Sequence, residues 1–245
     1  MPVVASDLIA YNAANTPSDD VSTGGGAILT TSRPLITPLT ANDDLEMVST
    51  SGADTGNLTI IGRELTGLIR TDVIPLTGTT PVIDPTVFER ILSVSYVTTS
   101  AGTITVRRRN GGPVVCVIPA GEQAVSSHFK AAASAATTKV RYDKFFIKNV
   151  HGSLTLSSAV VKLTADPMAN IRIGLAAALN DTATITNRLT APAGISFFDD
   201  NVNINLPGAQ TLPAGSAIGV WVEQTLAANA AEFRSTYSVS ITGTS

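Results

Sequence analysis

Along this chain, apolar and polar residues alternate in short bursts, and Gly, Pro, Asp and Thr clusters separate the bursts. In Thr103-Ile104-Thr105-Val106-Arg107 the alternation places Ile104 and Val106 on one face, and the hydroxyls and Arg107 on the other. That is the period of a half-buried β-strand. Leu92, Val94 and Tyr96 alternate with Ser93 and Ser95 in the same way, and Thr236-Tyr237-Ser238-Val239-Ser240-Ile241-Thr242 is the cleanest case. Strands are predicted over 57–61, 68–76, 88–97, 103–107 and 114–118, then over 145–148, 159–164, 171–175, 195–198, 218–222 and 237–241. Gly78, Pro81 and Gly102 supply turn chemistry between them. Strands recurring every ~10 residues with no helical run between them predict an all-β fold of two tandem antiparallel β-sandwich, jelly-roll-like domains.

The pattern also suggests boundaries. Residues 1–45 hold only short apolar clusters among Asn15-Thr16-Pro17-Ser18-Asp19-Asp20, Gly24-Gly25-Gly26, Pro34 and Pro38, which reads as an extended N-terminal arm docked on another surface. On that expectation, removing 1–45 leaves both sandwiches folded. The first sandwich is placed at 46–120 and the second at 141–245. Between them, 121–140 forms a junction, where Val125, Phe129, Ala132 and Ala136 fit the period of a short helix. Trp221, the one tryptophan, points away from Val220 and Val222, into a second packing surface or a subunit contact.

Composition sharpens this. The 245 residues include 32 Thr and 21 Ser but only 14% charged residues, so the surface is made polar by hydroxyls more than by charge. Typical domains carry about 25% charged residues. With 44% hydrophobic residues the chain is too apolar for disorder. The net charge of −3 hides an asymmetry. Residues 1–64 carry eight acids (Asp7, Asp19, Asp20, Asp43, Asp44, Glu46, Asp54, Glu64) against Arg33 and Arg63, whereas 107–148 carry eight bases against Glu122 and Asp143. Such a split suits contact between subunits. The chain as a whole is not basic enough for a dedicated nucleic-acid binder. Its first residues lack a basic segment followed by an apolar core, and Asp7 comes early, so no signal peptide is expected there; no apolar stretch reaches the roughly 18–20 residues of a membrane span.

Chemical motifs are sparse. There is no phosphate loop, GxGxxG, HExxH, CxxC or GxSxG, and no cofactor is expected. Cys116 lies in the apolar run Pro113-Val114-Val115-Cys116-Val117-Ile118-Pro119 and is expected to be a buried strand residue rather than a nucleophile paired with His128 or His151. Asp199-Asp200-Asn201-Val202-Asn203 offers oxygen ligands but lacks the glycine and glutamate of an EF-hand loop, and reads as a polar turn. The sharpest charge feature is Arg107-Arg108-Arg109 before Asn110-Gly111-Gly112, where a strand leaves its sheet. Three guanidinium groups there suit carboxylates of a neighbouring subunit, phosphates, or protection of a sheet edge. The absence of neighbouring aromatic residues disfavours nucleic acid.

Several longer phrases resemble a family of tailed-bacteriophage virion structural proteins. They are Ala5-Ser6-Asp7-Leu8-Ile9-Ala10-Tyr11-Asn12-Ala13-Ala14-Asn15, Phe88-Glu89-Arg90-Ile91-Leu92 and Ala101-Gly102-Thr103-Ile104-Thr105-Val106-Arg107-Arg108. Two more are Arg141-Tyr142-Asp143-Lys144-Phe145-Phe146-Ile147-Lys148-Asn149 and Ala217-Ile218-Gly219-Val220-Trp221-Val222-Glu223-Gln224-Thr225-Leu226. The resemblance implies a non-enzymatic virion component that cements or decorates the outside of the head shell. In that role its partners are the major capsid protein and copies of itself, and a trimer on a local three-fold axis is the expected oligomer because it would place three arms on three shell units. A neck, tail or fibre component and a carbohydrate-binding host-recognition module are the alternatives.

Overall fold

A computed structural model describes residues 2–34, 36–130, 136–229 and 236–245. Strand fills 52% of the chain and helix 1%. After a single 3-10 turn (Ala5–Asp7) come β1 (Leu8–Asn15), β2 (Gly24–Leu29), β3 (Ser32–Arg33), β4 (Asp43–Ser49), β5 (Asn57–Glu64), β6 (Ile69–Pro75), β7 (Val82–Tyr96), β8 (Ile104–Arg108) and β9 (Val114–Ile118). There follow β10 (Ala124–Ser126), β11 (Lys139–Asn149), β12 (Ser157–Ala165), β13 (Ile171–Leu179), β14 (Thr184–Ile185), β15 (Ile204–Asn205), β16 (Ala217–Leu226) and β17 (Ser238–Thr244). Ten of the eleven predicted segments fall on strands; 195–198 makes only an isolated bridge, Ile173 to Phe198. The helix expected within 121–140 is replaced at Ala124–Ser126 by strand β10, and residues 131–135 of that segment lie outside the described residues.

The chain divides into two compact units, Thr30–Ser127 and a discontinuous one that joins Met1–Leu29 to His128–Ser245. In Thr30–Ser127 a single eight-stranded sheet runs β3-β10-β7-β4-β8-β9, with β5 added to β7 and β6 added to β5. This sheet comes near to closing as a barrel. Two points reach across the remaining gap: β3 pairs in parallel with β10, and the Thr37 N–H donates to the Val115 carbonyl of β9. The inward residues Leu45, Met47, Leu58, Ile60, Phe88, Val94, Ile104, Val106 and Ile118 form one core. The period-2 alternation of β5, β7 and β8 is what aims them inward.

The discontinuous unit has a six-stranded sheet, β13-β16-β11-β1-β2-β14, and a three-stranded sheet, β15-β12-β17. Phe145, Ile147, Val220 and Val222 on one face of the larger sheet share a core with Ala159, Val161 and Leu163 of the smaller. On the opposite face Trp221, only 1% exposed, packs with Tyr142 and Ile185. The tryptophan therefore fills a second packing surface of its own unit.

The extended N-terminal arm is corrected here. β1 pairs antiparallel with β11 from Leu8 opposite Asn149 to Asn12 opposite Phe145, and β2 adds to β1 and carries β14 on its other edge. β1 and β2 are thus internal to a sheet, and the tandem order is replaced by an insertion of Thr30–Ser127 into the other unit. The Gly24-Gly25-Gly26 run that suggests flexibility has a packing cause. Gly25 has φ of 82°, and a Cβ on it would lie 2.6 Å from Trp221 Cη2 and 2.7 Å from the Ala183 carbonyl. Only a bare backbone fits against the indole.

A chain of residues 30–127 alone is expected to fold, since its core is complete within those residues. Deletion of residues 2–29 from the full chain is expected to unfold the discontinuous unit while the inserted one persists. Far-UV circular dichroism with thermal melting of both shortened chains checks this; a 30–127 chain with no cooperative transition would overturn it.

Candidate functional site

β11 is a central strand of the six-stranded sheet, flanked by β1 and β16, and it buries three charged side chains in succession of faces. Arg141 is 2% exposed, Asp143 0% and Lys144 1%. A charge in such a place must be paired and hydrogen-bonded. Each draws its partners from a segment remote in sequence. Arg141 Nε lies 2.7 Å from Asp20 Oδ1, and Lys139 Nζ lies 2.9 Å from Asp20 Oδ2. Burial pushes the Asp20 carboxyl up, but its hydrogen bonds to Arg141 and Lys139 outweigh that and hold it below the usual carboxylate range.

Asp143 and Arg188 form a fully buried pair. Arg188 Nε donates to Asp143 Oδ1 at 3.0 Å and Nη2 to Oδ2 at 3.1 Å, and Nη2 also donates to the Pro17 carbonyl at 2.5 Å. The Phe129 N–H donates to Asp143 Oδ2 at 2.7 Å. Beside this pair His128 Nδ1 is hydrogen-bonded to the Tyr237 hydroxyl, and the His128 ring stacks on Tyr237 with centroids 6.1 Å apart. Parts of both residues remain accessible, but His128 Nε2 is sealed from solvent and meets no hydrogen-bond partner among the described residues. Burial brings the imidazole pKa down to about 4, against the nearby Asp143 charge and with help from Arg188 and Lys130. Burial raises the Tyr237 phenol, so at neutral pH the two meet as uncharged groups.

Lys144 projects from the opposite face. Its Nζ lies 2.5 Å from Asp181 Oδ2 and donates to the carbonyls of Gly26, Asp181 and Ala183 at 3.2, 3.3 and 3.4 Å. It also sits 4.7 Å from the centre of the Phe146 ring and 5.2 Å from that of Trp221, within cation–π range. Burial lowers its pKa, opposed by Asp181. Together the β11 charges pin residues 17–26, 128–129 and 181–188 to one strand. This is a structural centre in its chemistry, with each charge neutralised by a neighbour.

The Arg107-Arg108-Arg109 cluster is engaged in the same manner on the other unit. β8 runs antiparallel to β4 with Glu46 opposite Arg107. Arg107 Nε donates to Glu46 Oε1 at 2.8 Å, Arg108 Nε to Asp43 Oδ2 at 2.6 Å and Arg109 Nη1 to Asp44 Oδ2 at 2.8 Å. The charge split along the sequence is therefore largely consumed inside the chain: Asp43, Asp44 and Glu46 meet Arg107, Arg108 and Arg109, and Asp20 meets Lys139 and Arg141.

The remaining candidates occupy structural positions. Cys116 is buried in β9, where burial pushes its thiol up to about 12. His151 Nδ1 accepts the N–H groups of Ser153 and Leu154 and so closes a turn. Asn201, with φ of 62°, turns the chain after Asp199 and Asp200, and its N–H donates to the Leu163 carbonyl. Among the described residues no group of three or more His, Cys, Asp or Glu side chains is placed to hold a metal ion, and no helix is long and apolar enough to cross a membrane. Sequence reasoning missed the β11 centre. Its one visible sign was the set of charges at Arg141, Asp143 and Lys144 inside an otherwise apolar run. Compared with protein-family models, curated proteins and solved structures, the chain finds no match in any of the three.

Two outcomes are expected here. Asp143→Ala leaves Arg188 buried without its carboxylate and should lower unfolding stability by about 3–5 kcal/mol, measured by urea denaturation. For His128 the folded pKa is the lower one, so as pH falls the unfolded chain takes up the proton first. Its contribution is intact above pH 6.5 and is lost progressively towards about pH 4. That loss amounts to at most about 3 kcal/mol. The His128→Gln variant should show a shallower fall of melting temperature across this window than the parent, and equal slopes would refute the assignment.

Proposed function

We propose that this chain is a structural virion protein of a tailed bacteriophage that cements or decorates the head shell. It does so as a homo-oligomer, with a trimer as the working state, and bridges neighbouring major capsid subunits. One observation carries the reading. Three of the phrases that resemble such virion proteins, around 5–15, 141–149 and 217–226, fold as the adjacent strands β1, β11 and β16. The other two lie on β7 and β8 of the inserted unit. The likeness thus follows the framework of both units rather than scattered surface residues.

The physics suits the role. A protein that stands on a shell needs a rigid body and a surface complementary to its neighbours, with many weak contacts added by high effective concentration. Here the charges lock the body internally, and the exterior is left to hydroxyls and apolar strand edges. Because β1 and β2 belong to a sheet, the bridging contacts are assigned to the faces of the folded units. Synthesis in the host cytoplasm and a final place on the head exterior go with this reading, as do the absence of a cofactor and of catalysis. A neck, tail or fibre position is the second reading, since a β-rich body suits it equally. Against a carbohydrate-binding module stands Trp221, whose ring lies under Gly25 with 1% of the residue exposed and so offers no platform for a sugar.

The copy number in purified virions, measured against the major shell protein by quantitative mass spectrometry, tests the proposal. A number comparable with the shell subunits is expected. One ring's worth of copies would move the protein to the neck or tail, and its absence from virions would end the reading.

A further inference from the structure

β6 is the last strand of the eight-stranded sheet, and among the described residues it pairs only with β5. The Glu64 N–H donates to the Leu68 carbonyl and the Leu76 N–H to the Gly56 carbonyl. With Ile60 opposite Asp72, these bonds fix which β6 residues face β5: positions 68, 70, 72, 74 and 76. In an antiparallel ladder the intervening residues turn their N–H and C=O groups the other way. Ile69, Thr71 and Val73 therefore present a row of backbone donors and acceptors along an open edge. The edge is also apolar: Ile69 and Val73 are each 54% exposed, and Leu68 at its start is 67% exposed. Proteins ordinarily blunt such an edge with charge.

The charges on this edge have opposite sign and stand two residues apart. Arg70 Nε donates to Asp72 Oδ1 at 2.7 Å within the strand and Arg70 Nη1 to Glu64 Oε1 at 3.0 Å; the Arg70 side chain is 49% exposed and that of Asp72 12%, so Arg70 is the group with freedom to turn towards a second copy. Against a second antiparallel copy this spacing complements itself. With a two-fold axis through Thr71, Arg70 of each copy falls opposite Asp72 of the other, and Ile69 falls opposite Val73. The backbone agrees with that register. Thr71 with Thr71, and Ile69 with Val73, become hydrogen-bonded pairs made by the open N–H and C=O groups, while Arg70 with Asp72 becomes a non-hydrogen-bonded pair, the kind with the closer side chains.

We propose that β6 is a self-association edge: two copies of the chain join through antiparallel β6 strands about a two-fold axis at Thr71, which makes the two eight-stranded sheets continuous. The occupant is a second copy because the edge is complementary to itself in charge, apolar character and hydrogen-bonding phase at once. The pairing does not depend on where the protein acts. It adds a two-fold contact to any ring the copies form elsewhere.

Cysteine scanning tests it on the full chain, in which the one native thiol, Cys116, is buried. Two residues opposed at a hydrogen-bonded pair lie about 5.5 Å apart at Cα, inside disulfide range. Thr71→Cys should therefore form a covalent dimer under mild oxidation roughly tenfold faster than Ile69→Cys or Val73→Cys, whose symmetry mates stand farther apart. Thr71→Pro removes an outward N–H without touching the β5 ladder; the parent chain should sediment as a non-covalent dimer at high concentration, and this variant should stay monomeric while preserving the circular dichroism spectrum. Equal rates at the three positions, or fastest crosslinking at 69 or 73, would overturn the pairing. A sedimenting trimer with no preference at 71 would overturn it too, yet leave the shell role standing. A crosslinked Thr71→Cys dimer of a protein missing from virions would do the reverse.

Discussion

Burying charge in a central β-strand is the constraint on which the discontinuous unit depends. Arg141, Asp143 and Lys144 sit where water cannot solvate them, so the strand is tenable only if other segments bring counter-charges and carbonyls to it. Asp20, Pro17 and Gly26 come from before the inserted unit, Phe129 from just after it, and Asp181 and Arg188 from the long connection that follows β13. One strand thereby gathers parts of the chain more than a hundred residues apart. Removing a single partner would strand a charge, which costs more than the intact pair returns.

The same economy governs the inserted unit at its surface. The β4 acids and the arginines at the end of β8 neutralise each other across one ladder, at exposures where each pair contributes only about 0.2–1 kcal/mol. Their value is positional. Glu46 with Arg107 and Asp44 with Arg109 cover the face opposite Leu45, Met47 and Val106, Asp43 with Arg108 closes the end of the core-facing side, and the three pairs leave little net charge for a partner to read. Asp54 plays a related part at the far end of β4, where its carboxylate accepts the Ser49 hydroxyl and the N–H groups of Ala101 and Gly102 and so ties two turns together.

On the proposed reading as a shell protein, a body locked from within leaves contacts with other molecules to shape, hydroxyls and open strand edges, with affinity accumulated over many copies. The β6 edge fits that economy: it is a place where charge, apolar side chains and unpaired backbone are offered together, and the offer is symmetric.

The sequence by itself determined that this is a β protein and where most strands lie, because strand periodicity is local. Ile104 and Val106 point inward whatever they meet, and Cys116 in its apolar run had no better place than a core. What local pattern could not carry was pairing. Asp43, Asp44 and Glu46 hid β4 because acids read as solvent-facing until arginines from a strand some sixty positions later lie beside them. Gly24-Gly25-Gly26 reads as a hinge until Trp221 is laid across it. Polar, glycine-rich residues 8–29 became strands only when β11 supplied their ladder. The β11 centre was illegible for the same reason: a buried charge is permitted by its partners, and only the tertiary structure brings those partners from opposite ends of the chain.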